Sequence, residues 1–131
     1  VLAETRQAAA AIKAKGRFAL DQLGARLEAA ADALEQATAF ILEAQEGDRR
    51  DALAGATPYL KLAGDVIGGL LLAQGLLKAA EVGVDPVTIT SQEALAGFYA
   101  ETVLASAPAQ LGAITVGADA LYDEALGAFL G

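Results

Sequence analysis

Residues 57–80 read TPYLKLAGDVIGGLLLAQGLLKAA, and between Lys61 and Lys78 this stretch carries one charge, Asp65, together with four glycines. A helix of this composition belongs either in a membrane or inside a helical bundle. A span needs about 20 apolar residues, and here sixteen are available, broken by Asp65 and Gln74. A carboxylate at mid-span costs about 3 kcal/mol even on permissive insertion scales. The flanks also lack an aromatic girdle and a positive-inside bias. The reading is therefore a bundle helix buried on most sides, at the centre of the fold or against another subunit, and not a membrane span.

Gly64, Gly68 and Gly75 are spaced by four and seven residues, so at about 100° per residue they fall nearly in line on one helix face, which Leu60, Leu71 and Ala79 continue. Glycine within a helix costs up to about 1 kcal/mol relative to alanine, so a close-packed neighbour is expected to offset that cost. The stripe is thus expected to be a groove for helix packing or for a subunit interface, with Ala105, Ala109 and Ala113 as the complementary ridge.

Working outward, Leu20, Leu23, Leu27, Ala30, Leu34, Ala37 and Ile41 recur at alternating steps of three and four, the seam of a long helix. Gly47-Asp48 follows where a left-handed cap and a turn belong. A second helical region starts near Asp48, breaks or kinks at Thr57-Pro58, and runs from Tyr59 to about Val82. Gly83 and Asp85-Pro86 make a loop, and Val87-Thr88-Ile89 is read as an extended connection. Thr90-Ser91-Gln92-Glu93 has the form of a capping box that opens a third long helix. The stripe of that helix is Leu104, Ala107, Leu111, Ile114, Ala118 and Leu121, and Pro108 interrupts it. The expectation is an all-α, up-and-down bundle of three long helices plus an N-terminal helical segment. Residues 1–15 are read as a linker or the tail of a preceding domain, and 16–131 as the bundle domain. A start at Val1, with no methionine anywhere, is read as a piece of a longer polypeptide.

Composition narrows the chemistry. The 131 residues hold no cysteine and no histidine, which excludes thiolate chemistry, Cys/His zinc sites and imidazole bases. The formal charge is −8, and all nine Lys and Arg lie at or before Lys78. Such a surface repels phosphate, so nucleic acid is not an expected partner. The cysteine-free chain is compatible with a reducing cytoplasm, the expected location.

The segments TPYLKLAGDVIGGLLLAQGLLKAAE and GFYAETVLASAPAQLGAITVGADAL together resemble the C-terminal helical domain of one branch of the FAD-dependent acyl-CoA dehydrogenases, a branch that includes enzymes acting on 3-methylmercaptopropionyl-CoA. The resemblance rests on the Tyr59–Gly69 lead, Phe98-Tyr99-Ala100 with Val103-Leu104, and Thr115-x-Gly117-Ala118, over roughly residues 20 to 125. It implies a parent enzyme that removes an α-proton and passes the β-hydrogen to flavin as hydride. It also implies that this segment is its non-catalytic accessory domain, partnered with the rest of the parent chain and expected in a homo-oligomer. No catalytic, cofactor-binding or metal-binding residue of such enzymes can be placed in this segment; FAD belongs to the parent, and the segment alone is expected to be inactive. The alternative is a free-standing helical self-association module.

Asp65, inside the apolar run, and Tyr99 are the polar candidates for a ligand contact or a tuned acid, against the plainer reading of a carboxylate bonded to a neighbouring helix and a packing aromatic. Glu101 stands near Tyr99 in sequence and invites the same comparison. Tyr59, Tyr99 and Tyr122 are too scattered for a stacking platform, and Arg49-Arg50 are flanked by Asp48 and Asp51, which points to local ion pairs.

Overall fold

Alanine and leucine at three- and four-residue steps leave little for the chain to form but helices. The computed structural model, which describes residues 1–118 and 127–129 (residue 19 by its backbone alone), has six α-helices and no strand among the described residues. They are α1 (Leu2–Lys13), α2 (Phe18–Glu46), α3 (Arg49–Ala54), α4 (Ala56–Val82), α5 (Pro86–Tyr99) and α6 (Gln110–Thr115). A π turn at Ala100–Leu104 and a 3₁₀ turn at Ala107–Ala109 join α5 to α6, so the third long helix is a composite. Pro108 lies in the 3₁₀ turn, where its missing N–H interrupts the ladder as expected.

Side-chain contacts fix the directions. Across α1 and α2, Arg6 meets Asp32 and Glu35 while Lys13 meets Glu28. Across α2 and α4, Thr38 bonds Tyr59, and Leu27 lies against Gly69. Across α4 and α5, Asp65 pairs with Tyr99. Residue numbers run oppositely across α1–α2, across α2–α4 and, with Leu76 and Leu77 beside Ile89, across α4–α5, so these pairs are antiparallel, while Arg17 with Glu93 and Arg26 with Glu101 set α2 parallel to the third helix.

Several boundaries differ from the sequence reading. Gly47 closes α2 with φ −102°, not in the left-handed region, and Asp48 caps α3 by accepting from the Arg50 N–H at 3.0 Å. Helix α4 opens after Gly55, so Thr57 is not its cap and Pro58 sits in the first turn, where no amide donor is needed. Its end is the left-handed Gly83 (φ 76°), with the Val84 N–H reaching back to the Ala79 carbonyl at 3.1 Å.

Helix α5 starts earlier than the capping-box reading. Asp85 accepts from the Thr88 N–H at 3.0 Å and from its hydroxyl at 2.7 Å, and Pro86 occupies the first turn. Val87-Thr88-Ile89 is therefore helical, and the Thr90 hydroxyl bonds the Pro86 carbonyl instead of capping. Asp-Pro is itself a start signal with the fixed φ that a first turn needs, and it outcompetes the box one turn downstream.

The core is one cluster. Ile12, Leu23, Leu27, Leu62, Val66, Leu104 and Ile114 are each under 2% exposed. The expected seam of α2 is buried from Leu20 to Ala37, and Leu104, Ala107, Ile114 and Ala118 of the third helix are buried too, while Leu121 and Tyr122 lie outside the described residues. Ala8, Ala9 and Ile12 of α1 belong to the same cluster.

Alanine-lined faces let the helices pack closely, and at three glycines of the core a side chain would meet a neighbouring element. A Cβ at Gly24 would lie 2.7 Å from the Lys13 side chain and 3.1 Å from the Ala9 carbonyl. One at Gly55 would lie 2.8 Å from the Ile114 carbonyl, and one at Gly69 3.0 Å from methyls of Leu27 and Leu104.

Candidate functional site

Helix α4 is apolar all round, so its sequence offers two seams. The inner one, Leu62, Val66, Gly69, Leu70, Ala73, Leu76 and Ala79, is buried in the bundle. The outer one is Leu60, Gly64, Ile67, Leu71, Gly75 and Val82, with Gln74 and Lys78 beside it. Leu60 is 69% exposed, Leu71 61% and Ile67 41%. By length and composition α4 could cross a membrane, but a core helix passes the same test, and the inner seam is the centre of this bundle.

The glycine stripe therefore lies on the outer side. Nothing in the chain comes within 4 Å of a Cβ built at Gly64 or Gly75, so the expected packing of these two against a helix of the same bundle does not occur. Ala109 and Ala113, expected as the ridge, are exposed and Ala105 is half-buried. The physical reason is desolvation. The outer side carries Gln74 and Lys78, whose burial without partners would cost free energy, while the inner seam is apolar throughout.

Gly68 differs from its two companions, because the ring of Tyr99 lies on it. A Cβ there would fall inside contact distance of the hydroxyl and 3.0 Å from Cζ. The Tyr99 hydroxyl donates to the Asp65 backbone carbonyl at 2.7 Å. The Asp65 carboxylate accepts from Lys61 Nζ at 2.9 Å, one turn earlier on the same helix. The structure thus brings Asp65, Gly68 and Tyr99 together.

Burial, and secondarily the charge of Asp65, raises the Tyr99 pKa above the ordinary phenol value, so the group stays protonated and donating at neutral pH. A donated phenol and a paired carboxylate form a clasp between α4 and α5, with no free nucleophile or base. Glu101 turns away to Arg26 at 3.3 Å. Tyr59 donates to Thr38 Oγ1 at 2.9 Å, since the Thr38 proton is given to the Leu34 carbonyl. Arg50 pairs with Asp48 at 2.8 Å.

Two polar arrangements were not foreseen. The Asp51 carboxylate crosses from α3 to accept from the Ala118 N–H at 2.6 Å, beside the left-handed Gly117 (φ 82°). Lys15, Arg17 and Glu93 gather at a cleft between the α1–α2 turn, α4 and α5. The first joins residues 67 apart in sequence, and no local spacing announces either.

A flavin would need a slot for its ring and positive groups for its pyrophosphate. A cleft of about 490 Å³ between the start of α1 and the outer side of α4 is lined by Leu34, Thr38, Tyr59, Ala63 and Ile67, with no basic side chain. The cleft that does have Lys15 and Arg17 measures about 210 Å³, room for a short ligand and not for a dinucleotide. Neither of these two clefts fits a flavin. Among the described residues no three carboxylates converge as a metal ion would require.

The family model described as acetyl-CoA dehydrogenase C-terminal like matches residues 1–124. No curated protein and no solved structure matches the chain.

Proposed function

The chain belongs to the acetyl-CoA dehydrogenase C-terminal-like family, and from that premise we propose that it serves as the non-catalytic accessory domain of an FAD-dependent acyl-CoA dehydrogenase, bracing the catalytic core or a subunit interface through the outer seam of α4. The parent reaction is α,β-dehydrogenation of an acyl-CoA thioester, in the branch that includes enzymes acting on 3-methylmercaptopropionyl-CoA. The flavin of the parent supplies the hydride acceptor.

The observation that carries this reading is the outer seam itself. Leu60, Ile67 and Leu71 stand exposed in line, with Gly64 between them and Gly75 one turn beyond open to a close approach. Exposed large side chains scattered singly need no explanation, but a continuous seam at heptad spacing on a 27-residue helix does. Asp65 is tied back to Lys61 at the flank, and Lys78, which lies in line with Leu60, pairs with Glu81 at 3.6 Å. A homo-oligomeric parent, in which the seam lies at or beside the contact between copies, fits the same reading.

The test is Ile67→Glu combined with Leu71→Glu in the intact protein. Both side chains face outward, so the bundle keeps its fold by circular dichroism. We expect a smaller assembly mass in light scattering, or a lower thermal midpoint of the catalytic core. Unchanged mass together with an unchanged midpoint would refute the bracing role. Acyl-CoA-dependent dye reduction by the purified 131-residue chain would refute the non-catalytic assignment.

A further inference from the structure

We propose that the cleft between the α1–α2 turn, α4 and α5 is a binding site for a short-tailed amphiphilic anion, a medium-chain carboxylate in its simplest form. It lies at the end of α4 away from the Asp65–Tyr99 clasp. Its floor is apolar: Ile12, Leu20 and Leu76 are almost wholly buried there, and Leu77 and Ile89 are half-buried. The volume, about 210 Å³, is room for about seven groups of roughly 30 Å³ each, which suits a hydrocarbon tail of six to eight carbons.

The mouth is charged, and its charges are not equivalent. Glu93 keeps only 11% of its side chain exposed, and its carboxylate accepts from Arg17 at 2.6 Å, so the acid is already compensated. Lys15 stands on the same turn with no ion pair and no side-chain hydrogen bond among the described residues. The turn holds both cations in place through Gly16, whose φ of 69° is the left-handed conformation that glycine adopts without strain. In a chain of net charge −8, an apolar cleft with a local excess of one positive charge selects for an anionic head over an apolar tail.

The experiment is a saturation-transfer NMR titration of the intact protein with octanoate, with 1-octanol as the neutral counterpart of equal tail length. Three variants accompany it. Ala80→Trp starts from an exposed cleft residue and fills the cleft, while Lys15→Glu reverses the uncommitted charge. The proposal expects saturable octanoate binding that is abolished by Ala80→Trp, weakened by up to about fivefold by Lys15→Glu, the upper range for one exposed ion pair, and tighter than octanol binding. Lys15→Arg keeps the charge and retains affinity. Thermal midpoints of the variants equal to that of the parent sequence show that fold loss is not the cause.

Absence of saturable octanoate binding overturns the proposal. So does octanol binding as tightly as octanoate, or octanoate binding that either Ala80→Trp or Lys15→Glu leaves unchanged. None of these outcomes bears on the bracing role of α4, whose residues Ile67 and Leu71 lie outside the cleft.

Discussion

Alanine substitution at the four glycines of α4 separates the inner seam from the outer one. At Gly64 and Gly75 a new methyl meets nothing within 4 Å, so the gain is the helix-propensity difference, about 0.5–1 kcal/mol each. At Gly69 the methyl meets methyls of Leu27 and Leu104 at 3.0–3.2 Å, and overpacking of about 1–3 kcal/mol outweighs the propensity gain. Gly68 is the sensitive case, because its methyl must displace the Tyr99 hydroxyl and break a 2.7 Å bond to the Asp65 carbonyl. A net hydrogen bond is worth about 0.5–1.5 kcal/mol, so the propensity gain is cancelled and Gly68→Ala is near neutral.

Removing the hydroxyl first relieves the closest approach at this position, although Cζ of the ring still lies 3.0 Å from the new methyl. In a Tyr99→Phe background Gly68→Ala should therefore be more favourable than in the parent sequence, with a coupling of about 1 kcal/mol between the two substitutions. Urea melts followed by far-UV circular dichroism, at two protein concentrations to separate any association, give each value. If Gly68→Ala stabilised as much as Gly64→Ala in both backgrounds, Tyr99 would not lie on Gly68. If Gly64→Ala and Gly75→Ala destabilised at the dilute limit, the outer seam would be packed within the chain and the inner–outer assignment would be wrong.

Asp51→Ala should cost about 1–2 kcal/mol, because a buried backbone donor at Ala118 loses its acceptor; faster hydrogen exchange at that amide checks it. The raised Tyr99 pKa makes its stability contribution complete below the unfolded phenol pKa near 10 and lost as pH rises through the higher folded value. Alkaline denaturation should accordingly be less steep above that pH in Tyr99→Phe. The Thr88 hydroxyl and N–H lower the Asp85 pKa, so that cap contributes above the unfolded carboxylate value and loses its contribution as pH falls through the lower folded one. Asp85→Asn keeps a capping oxygen but should flatten the pH dependence of the thermal midpoint in that acid range.

How much of this was legible follows from the range over which each signal acts. Heptad spacing is local, and Leu20 through Ala37 landed in the core as spaced, as did Leu104, Ala107, Ile114 and Ala118, with Leu111 half-buried at its edge. Caps are local too, yet two compete at the start of α5, where Asp85-Pro86 and Thr90–Glu93 both carry the required side chains. Asp85-Pro86 prevails, and Glu93, left in the interior of the helix, pairs instead with Arg17, 76 residues away. On α4 the sequence offered two seams of equal regularity. Glycine spacing drew attention to the outer one, although Gly69, flanked by Leu62, Val66, Ala73 and Leu76 at alternating steps, was the glycine that the helices close upon.

The two seams expose the difference between a residue that permits a contact and one that drives it. Glycine removes a steric limit and contributes no apolar area, so a glycine stripe indicates where a backbone could approach, not where one does. The bundle satisfies its own need with the bulky inner seam, and what is left over is an outer seam whose leucines and isoleucine remain in water while its glycines carry an unreturned helix-propensity cost. Both unfavourable terms have the same remedy, a surface that covers Leu60, Ile67 and Leu71 and comes close at Gly64 and Gly75. Such a surface would gain more from this face than from any other apolar residue left singly exposed, such as Leu53 or Val87, and the oligomeric mass of the Ile67→Glu, Leu71→Glu protein is the quantity most sensitive to whether a second copy supplies it.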